Sequence, residues 1–109
     1  MEVDQETGKK IQSLQILEQN FQNIILQKQT FQIEINEILT AINEIGKTKS
    51  DVFRVIGQIM VKSDKASLNK ELGEKKKILD LKVKSVEKQE LEMKEEIERL
   101  RAEIMNKLK

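Results

Sequence analysis

The chain has 109 residues, of which 38% are hydrophobic and 36% are charged, a balance typical of extended helices rather than of a thick globular core. Its 20 lysines and arginines almost balance its 19 aspartates and glutamates, so the overall charge favours neither nucleic acid nor an acidic membrane surface as a partner. The sequence contains no histidine, no cysteine and no run of about 18 apolar residues, which argues against a catalytic centre, a metal or cofactor site and a membrane span.

The N-terminal stretch "MEVDQETGKK" is acidic and polar. A secretory signal would be basic and then apolar, so we expect a cytoplasmic protein. The stretch also lacks the apolar repeat of the residues that follow it. We therefore predict a flexible N-terminus over residues 1–9 and one domain over the whole chain.

The first long segment, residues 10–45, has the seven-residue repeat of a coiled coil. Nine of its ten seam positions are apolar, and Lys28 is the exception. Gly46 follows at the place where a left-handed helix cap favours glycine, so we predict that the helix ends there. The predicted seam is Leu14, Leu17, Phe21, Ile24, Lys28, Phe31, Ile35, Ile38, Ile42 and Ile45.

A second helix is predicted over residues 64–109, with Ser63 or Asp64 as its cap. Eight of its ten seam positions are apolar. The connector, residues 46–63, is short, so the simplest fold pairs the two helices as a long antiparallel coiled coil. The predicted second seam is Leu72, Lys76, Leu79, Val83, Val86, Glu90, Met93, Ile97, Leu100 and Ile104.

Two polar seam residues, Lys28 and Glu90, interrupt the helices at nearly the same depth. Lys28 lies 17 residues before the end of the first seam, and Glu90 lies 18 residues after the start of the second. If they meet, they fix the register of the coiled coil rather than adding much stability. The alternative is a coincidence in which both side chains reach out to water.

The connector contains "VFRVIGQIMVK", residues 52–62, which does not have a helical pattern. Gly57 and Gln58 suit a type II′ turn, which would pair Ile56 with Ile59 and place largely apolar side chains on both faces of a hairpin. A lone hairpin of this kind is marginal in water and has two unpaired edges, so we predict that hairpins from several chains close into a shared β-barrel. The alternative is a hairpin folded against its own helix ends. The predicted oligomerisation residues are Val52, Phe53, Val55, Ile56, Gly57, Ile59, Met60 and Val61.

These elements resemble the β-type subunits of prefoldin, a hexameric chaperone of archaea and eukaryotes. The resemblance runs from about Ile11 to Leu108 and rests on a helix containing "LQKQTF" (residues 26–31), the single hairpin and a return helix containing "VEKQELEMKEEI" (residues 86–97). An α-type subunit would need a longer connector with two hairpins. The absence of long tails favours an archaeal type.

The resemblance implies a mainly α subunit in a hexamer of two α-type and four β-type subunits. Such assemblies hold unfolded proteins at the coiled-coil tips without ATP and pass them to a group II chaperonin. At the predicted tip, apolar residues outnumber the positions that a two-helix seam can bury, which suits weak contact with varied apolar partners. The candidate client-binding residues are Ile11, Leu14, Ile16, Leu17, Ile104, Met105 and Leu108.

Two other interpretations differ in class. A structural coiled-coil protein that oligomerises or tethers without a client fits the helices, but it has no need of a two-faced apolar hairpin. The lysine run Glu74 to Lys77 could suggest nucleic-acid binding, but acidic residues surround it and no aromatic residue interleaves it, so a solvated helix face explains it better. The first helix carries few charges, and glutamine and asparagine fill most of its outer positions, so we expect weak selection of clients by charge.

Overall fold

The computed structural model describes residues 4–108 and confirms the mainly α fold, with two long helices on either side of one hairpin in the chain. Contacts divide it into two compact units. Unit 1 consists of the chain up to Gln29 and from Lys84 onward, and unit 2 consists of Thr30–Val83. The elements are α1 (Gln5–Lys47), β1 (Val52–Ile56), β2 (Ile59–Ser63) and α2 (Lys65–Leu108).

α1 begins earlier than the sequence predicted. Residues 5–9, expected to be flexible, form its first turns, and residues 1–3 lie outside the described part of the chain. The side chain of Asp4 caps this end, because its Oδ1 accepts a hydrogen bond of 2.6 Å from the backbone N–H of Thr7. Hydrogen bonds from Thr7 hold the pKa of Asp4 below its usual value.

The end of α1 also differs from the prediction. Gly46 lies inside the last turn and does not adopt the left-handed cap conformation, and the helix ends at Lys47. The N–H of Thr48 still donates to the carbonyl of Glu44 at 3.0 Å, so the helical bonding continues past the glycine. The polar residues after Lys47, rather than Gly46, therefore end the helix.

Asp64, not Ser63, caps α2. Its Oδ1 accepts from the N–H of Ser67 at 2.9 Å and its Oδ2 accepts from the Ser67 hydroxyl at 2.6 Å. The hydroxyl of Ser67, followed by its N–H, lowers the pKa of Asp64. Ser63 instead pairs with Val52 at the end of the hairpin. α2 ends at Leu108, and Lys109 lies outside the described residues.

In each unit α1 and α2 run antiparallel, and all twenty predicted seam positions are buried or half-buried. Cross-helix ion pairs join Lys10 to Glu103 and Lys28 to Glu90 in unit 1, while the ammonium of Lys82 lies 5.7 Å from the centre of the Phe31 ring in unit 2. The most deeply buried apolar side chains are Ile24, Val86, Ile97, Leu100 and Ile104 in unit 1, and Ile38 and Leu79 in unit 2.

The hairpin has the predicted register. β1 and β2 are antiparallel, with Ile56 opposite Ile59 and Val55 opposite Met60. Gly57 has a φ of +61°, and no other described residue has a positive φ, Gln58 included. A positive φ at the first central residue alone is the signature of the predicted type II′ turn.

Candidate functional site

The apolar side chains of the hairpin are exposed to solvent in the single chain. Six of them are between 44% and 68% exposed. Among the apolar hairpin residues only Val52 is half-covered. The helices of unit 2 therefore leave both faces of the hairpin open, which does not fit a hairpin folded against its own helix ends. The six exposed residues are Phe53, Val55, Ile56, Ile59, Met60 and Val61.

The hairpin is nevertheless held in place at its base. Arg54 forms an ion pair with Glu71 in α2, and Lys62 Nζ lies 3.4 Å from Asp51 Oδ2. Lys65 donates a hydrogen bond to the carbonyl of Thr48. These contacts orient the strands on the helix ends without covering their apolar faces. Beside them lies a groove of about 530 Å³ lined by Ala41, Glu44, Ile45, Thr48, Val52, Phe53, Leu68 and Leu72.

The seven candidate tip residues lie in unit 1, and the structure divides them by burial. Ile16 and Met105 are 63% and 60% exposed, whereas Ile104 is a buried seam residue at 7%. The remaining four are half-buried along the seam. Any partner would therefore meet Ile16 and Met105 directly, whereas Ile104 is part of the seam. The half-buried four are Ile11, Leu14, Leu17 and Leu108.

Two ion pairs between the helices of unit 1, besides that of Lys28 and Glu90, were not predicted from the sequence. Lys10 Nζ lies 3.3 Å from Glu103 Oε2, and an Arg101 guanidinium nitrogen lies 3.5 Å from Glu18 Oε2. Arg101 and Glu103 lie in a segment of α2 that is rich in charge, so the sequence offers Lys10 and Glu18 on α1 many possible partners. Only the register of the two helices selects among them.

Lys28 and Glu90 occupy facing seam positions. Lys28 Nζ lies 3.3 Å from Glu90 Oε1 and 4.0 Å from Glu87 Oε2. Lys28 and Glu90 are 23% and 27% exposed, so the pair is partly desolvated. The contact is therefore present, and its role in fixing the register stays a prediction.

Between residues 4 and 108 no three acidic side chains converge to hold a metal ion. Over the same residues, neither helix is long and apolar enough to cross a membrane. The carboxyl groups with lowered pKa, Asp4 and Asp64, both cap helices, which accounts for their shifts.

Comparison with known proteins identifies the family. The sequence model described as "Prefoldin subunit" matches residues 8–109. The chain belongs to the prefoldin subunit family. A prefoldin subunit beta from Saccharolobus islandicus is 31% identical over 101 residues, which cover 91% of this chain and 80% of that protein. One from Pyrobaculum islandicum is 35% identical over 89 residues, covering 80% of this chain and 71% of that protein.

The fold of a solved prefoldin subunit agrees with this assignment. The crystal structure of the prefoldin beta subunit from Thermococcus strain KS-1 matches with a TM-score of 0.87 and 27% sequence identity. The match covers 96% of this chain and 94% of that one. The resemblance to prefoldin β subunits that the sequence predicted is thus confirmed, and the sources of the relatives fit the archaeal type.

Membership in this family has general consequences for the chain. Prefoldin subunits form oligomeric complexes and belong to a chaperone family that is not known to be enzymatic. The exposed apolar hairpin in unit 2 and the exposed apolar residues in unit 1 are accordingly candidates for contacts with other proteins.

Proposed function

We propose that this chain is a β-type subunit of a prefoldin hexamer with two α-type and four β-type subunits. In this proposal the hexamer acts in the cytoplasm as an ATP-independent holdase, which captures non-native proteins and delivers them to a group II chaperonin. The observation that carries the proposal is the exposure of two large apolar side chains, Ile16 and Met105, in the part of unit 1 that contains both helix ends. The family assignment supports it.

The hairpin supports the assembly part of the proposal. A two-stranded hairpin with exposed apolar residues on both faces is marginally stable on its own and presents two unpaired edges. Pairing these edges with hairpins of neighbouring subunits satisfies their backbone hydrogen bonds. Closing the strands into a barrel buries one face inside it and removes the remaining edges. The proposed base of the hexamer is therefore built from residues 52–63 of each copy of this chain together with the hairpins of the α-type subunits.

The exposed residues of unit 1 support the capture part. Met105 presents an unbranched, flexible side chain that can adapt to different partners, and Ile16 adds exposed apolar surface. Terminal turns of helices open readily, so the half-buried residues Ile11 and Leu108 add apolar surface when they do. Contacts of this kind are weak and tolerant of sequence, as binding to many non-native chains requires.

The proposal is tested by replacing the two exposed residues with serine. The assay follows the aggregation of a chemically denatured test protein by light scattering, in the presence of the full chain assembled with an α-type subunit and without nucleotide. We expect the wild-type assembly to suppress aggregation and Ile16→Ser/Met105→Ser to lose most of this effect. Both side chains lie on the surface, so the fold should remain intact.

A matched control removes the same amount of apolar surface elsewhere. Ile78 and Leu81 are 55% and 67% exposed on α2 in unit 2, and the variant Ile78→Ser/Leu81→Ser should protect the test protein as well as the wild type does. Equal protection by all three proteins would contradict the assignment of capture to Ile16 and Met105. A wild-type assembly that protects nothing would contradict the holdase function itself.

A further inference from the structure

The outer surface of α1 is almost free of charge between Ile11 and Gln29. From Ile11 to Gln29 the sequence contains only Glu18 and Lys28 as charged residues. Both are engaged with α2, since Glu18 pairs with Arg101 at 3.5 Å and Lys28 pairs with Glu90 at 3.3 Å. The solvent-facing side of this segment therefore presents no charge that is not already paired.

Primary amides take the place of charges on this surface. Eight glutamine or asparagine residues are exposed between Ile11 and Gln29, and Ile16 and Leu26, which are 63% and 59% exposed, lie among them. We call the eight residues the amide face: Gln12, Gln15, Gln19, Asn20, Gln22, Asn23, Gln27 and Gln29.

Helix stability does not explain the amide face. Lysine and glutamate favour helices about as well as glutamine does, and asparagine is a poorer helix former than any of them. Charged residues would also add stabilising pairs at a spacing of four and would increase solubility. α2 follows this ordinary pattern in the same unit, with thirteen charged residues between Lys84 and Leu108. The absence of charge is thus particular to α1.

The chemistry of the amide face matches that of a polypeptide backbone. Each side-chain amide offers two N–H donors and a carbonyl acceptor, while each peptide group offers one donor and one acceptor. Gln15, Gln19 and Gln22 follow one another at intervals of about 4.5 to 6 Å along the helix. Alternate peptide groups of an extended chain repeat at about 6.7 Å, so neighbouring amides can reach successive groups of such a chain.

A niche for a side chain adjoins this face. It has a volume of about 230 Å³, and the apolar side chains of Phe21 and Ile97 line it. An engineered cavity of about 150 Å³ holds a benzene molecule, so the niche is large enough for an aromatic or a branched aliphatic side chain. Gln22 lies at its edge and connects it to the amide face. Two acidic and two basic residues complete the lining, so it carries no net charge: Glu18, Glu98, Lys94 and Arg101.

From these observations we infer that the amide face and the niche bind an extended segment of non-native polypeptide through its backbone. The amides form hydrogen bonds to the peptide groups of the segment, and the niche takes one of its apolar side chains. This inference rests on the proposed function, because its ligand is the client. It involves other side chains than Ile16 and Met105, and a different chemistry, hydrogen bonding to the backbone of the client.

The test compares two synthetic peptides by fluorescence anisotropy. Both are uncharged and contain leucine, alanine and glycine, but in one of them alternate backbone nitrogens are methylated and cannot donate hydrogen bonds. We expect the wild-type full chain to bind the unmethylated peptide about tenfold more tightly, as the loss of one or two net hydrogen bonds implies. In Gln15→Ala/Gln19→Ala/Gln22→Ala, this preference should fall below about twofold because the partners of those donors are gone.

Alanine favours the helix, so the triple variant should keep its fold, which circular dichroism checks. The matched control Gln32→Ala/Asn36→Ala/Asn43→Ala removes three exposed amides of α1 from unit 2 and should retain the wild-type preference. A wild-type chain that binds neither peptide, or binds both equally, would overturn the inference. So would a triple variant that still prefers the unmethylated peptide tenfold.

The result is separable from that of the aggregation assay. If Ile16→Ser/Met105→Ser loses protection while the amide variant keeps both protection and peptide preference, the proposed function stands and this inference fails. If the wild-type assembly protects no test protein, the proposed function fails. The peptide preference still decides whether the amide face binds backbone.

Discussion

Lys28 on α1 and Glu90 on α2 form a partly buried ion pair within the otherwise apolar seam of unit 1. The distance from Lys28 Nζ to Glu90 Oε1 is 3.3 Å, and Glu87 Oε2, from the preceding turn of α2, lies 4.0 Å from the same nitrogen. A shift of either helix by one turn would leave both charges facing apolar seam residues. The pair is therefore well placed to disfavour other registers, even though its net contribution to stability is small.

A charge exchange tests this pair. Lys28→Glu and Glu90→Lys should each destabilise the chain, and the double variant should recover part of the loss, with a coupling energy of about 0.5 to 1 kcal/mol in chemical unfolding. Recovery should be incomplete, because the new glutamate at position 28 would lie near Glu87. Additive losses would show that the two side chains do not interact in solution.

The exposed hairpin leads to a prediction on assembly. Val55 and Ile59 lie on opposite faces, so replacing both with aspartate places an unpaired charge on whichever face becomes buried. We expect Val55→Asp/Ile59→Asp to keep its helices but not to assemble, because burying the unpaired charge would cost the association several kcal/mol. Light scattering measures the assembly. Gln58→Asp adds a charge at the turn instead and should assemble normally, and full assembly of the double variant would contradict a hairpin base.

The turn of the hairpin requires glycine. Gly57 has a φ of +61°, which an L-residue with a side chain adopts at a cost of about 1 to 2 kcal/mol. Gly57→Ala should therefore increase hydrogen exchange at the backbone amides of the strands. Gly46→Ala is the control. Gly46 is helical with open space around it, so an alanine there should slightly stabilise the folded chain. Equal exchange in both variants would argue against the type II′ turn.

The fold was largely predictable because its signals are local and periodic. The seam positions follow from a seven-residue repeat, and the hairpin register follows from one glycine, Gly57, between two apolar runs. The start of α1 was missed because residues 5–9 have no apolar repeat. The signal that could have found it is Asp4, a good capping residue directly before the first turn. Gly46 was misread because a glycine can also lie within the last turn.

The candidate sites were less predictable, since exposure depends on how the two helices pack. The sequence placed Ile104 and Met105 in the same group, although the packing buries the first and exposes the second. The niche beside Phe21 needs Ile97 from the other helix, so no local pattern reveals it. The low charge of residues 11–29 was visible in the sequence, but only the structure shows that both charges of this segment pair with α2, Glu18 with Arg101 and Lys28 with Glu90.

The Asp64 cap of α2 makes the free energy of unfolding depend on pH in the acidic range. The hydroxyl and N–H of Ser67 hold the pKa of Asp64 below the ordinary value of 3.8, so the folded state favours the ionised carboxylate. The contribution of this cap to the stability of the folded state is therefore complete above pH 3.8, and it is lost as the pH falls through the lowered pKa of Asp64. Asp64→Asn caps the helix without a charge, and its thermal unfolding should lose less stability on acidification than the wild type. Asp51→Asn removes a carboxylate that caps no helix and is the control; equal acid sensitivity of Asp64→Asn and the wild type would contradict this role.

The mass of the assembly that this chain forms with an α-type prefoldin subunit tests the central claim most directly. Co-expression followed by native mass spectrometry should give a hexamer that contains four copies of this chain and two of the α-type subunit. Val55→Asp/Ile59→Asp should abolish that species while leaving helical chains. A dimer of this chain that excludes the α-type subunit would contradict the account and would favour a coiled-coil tether.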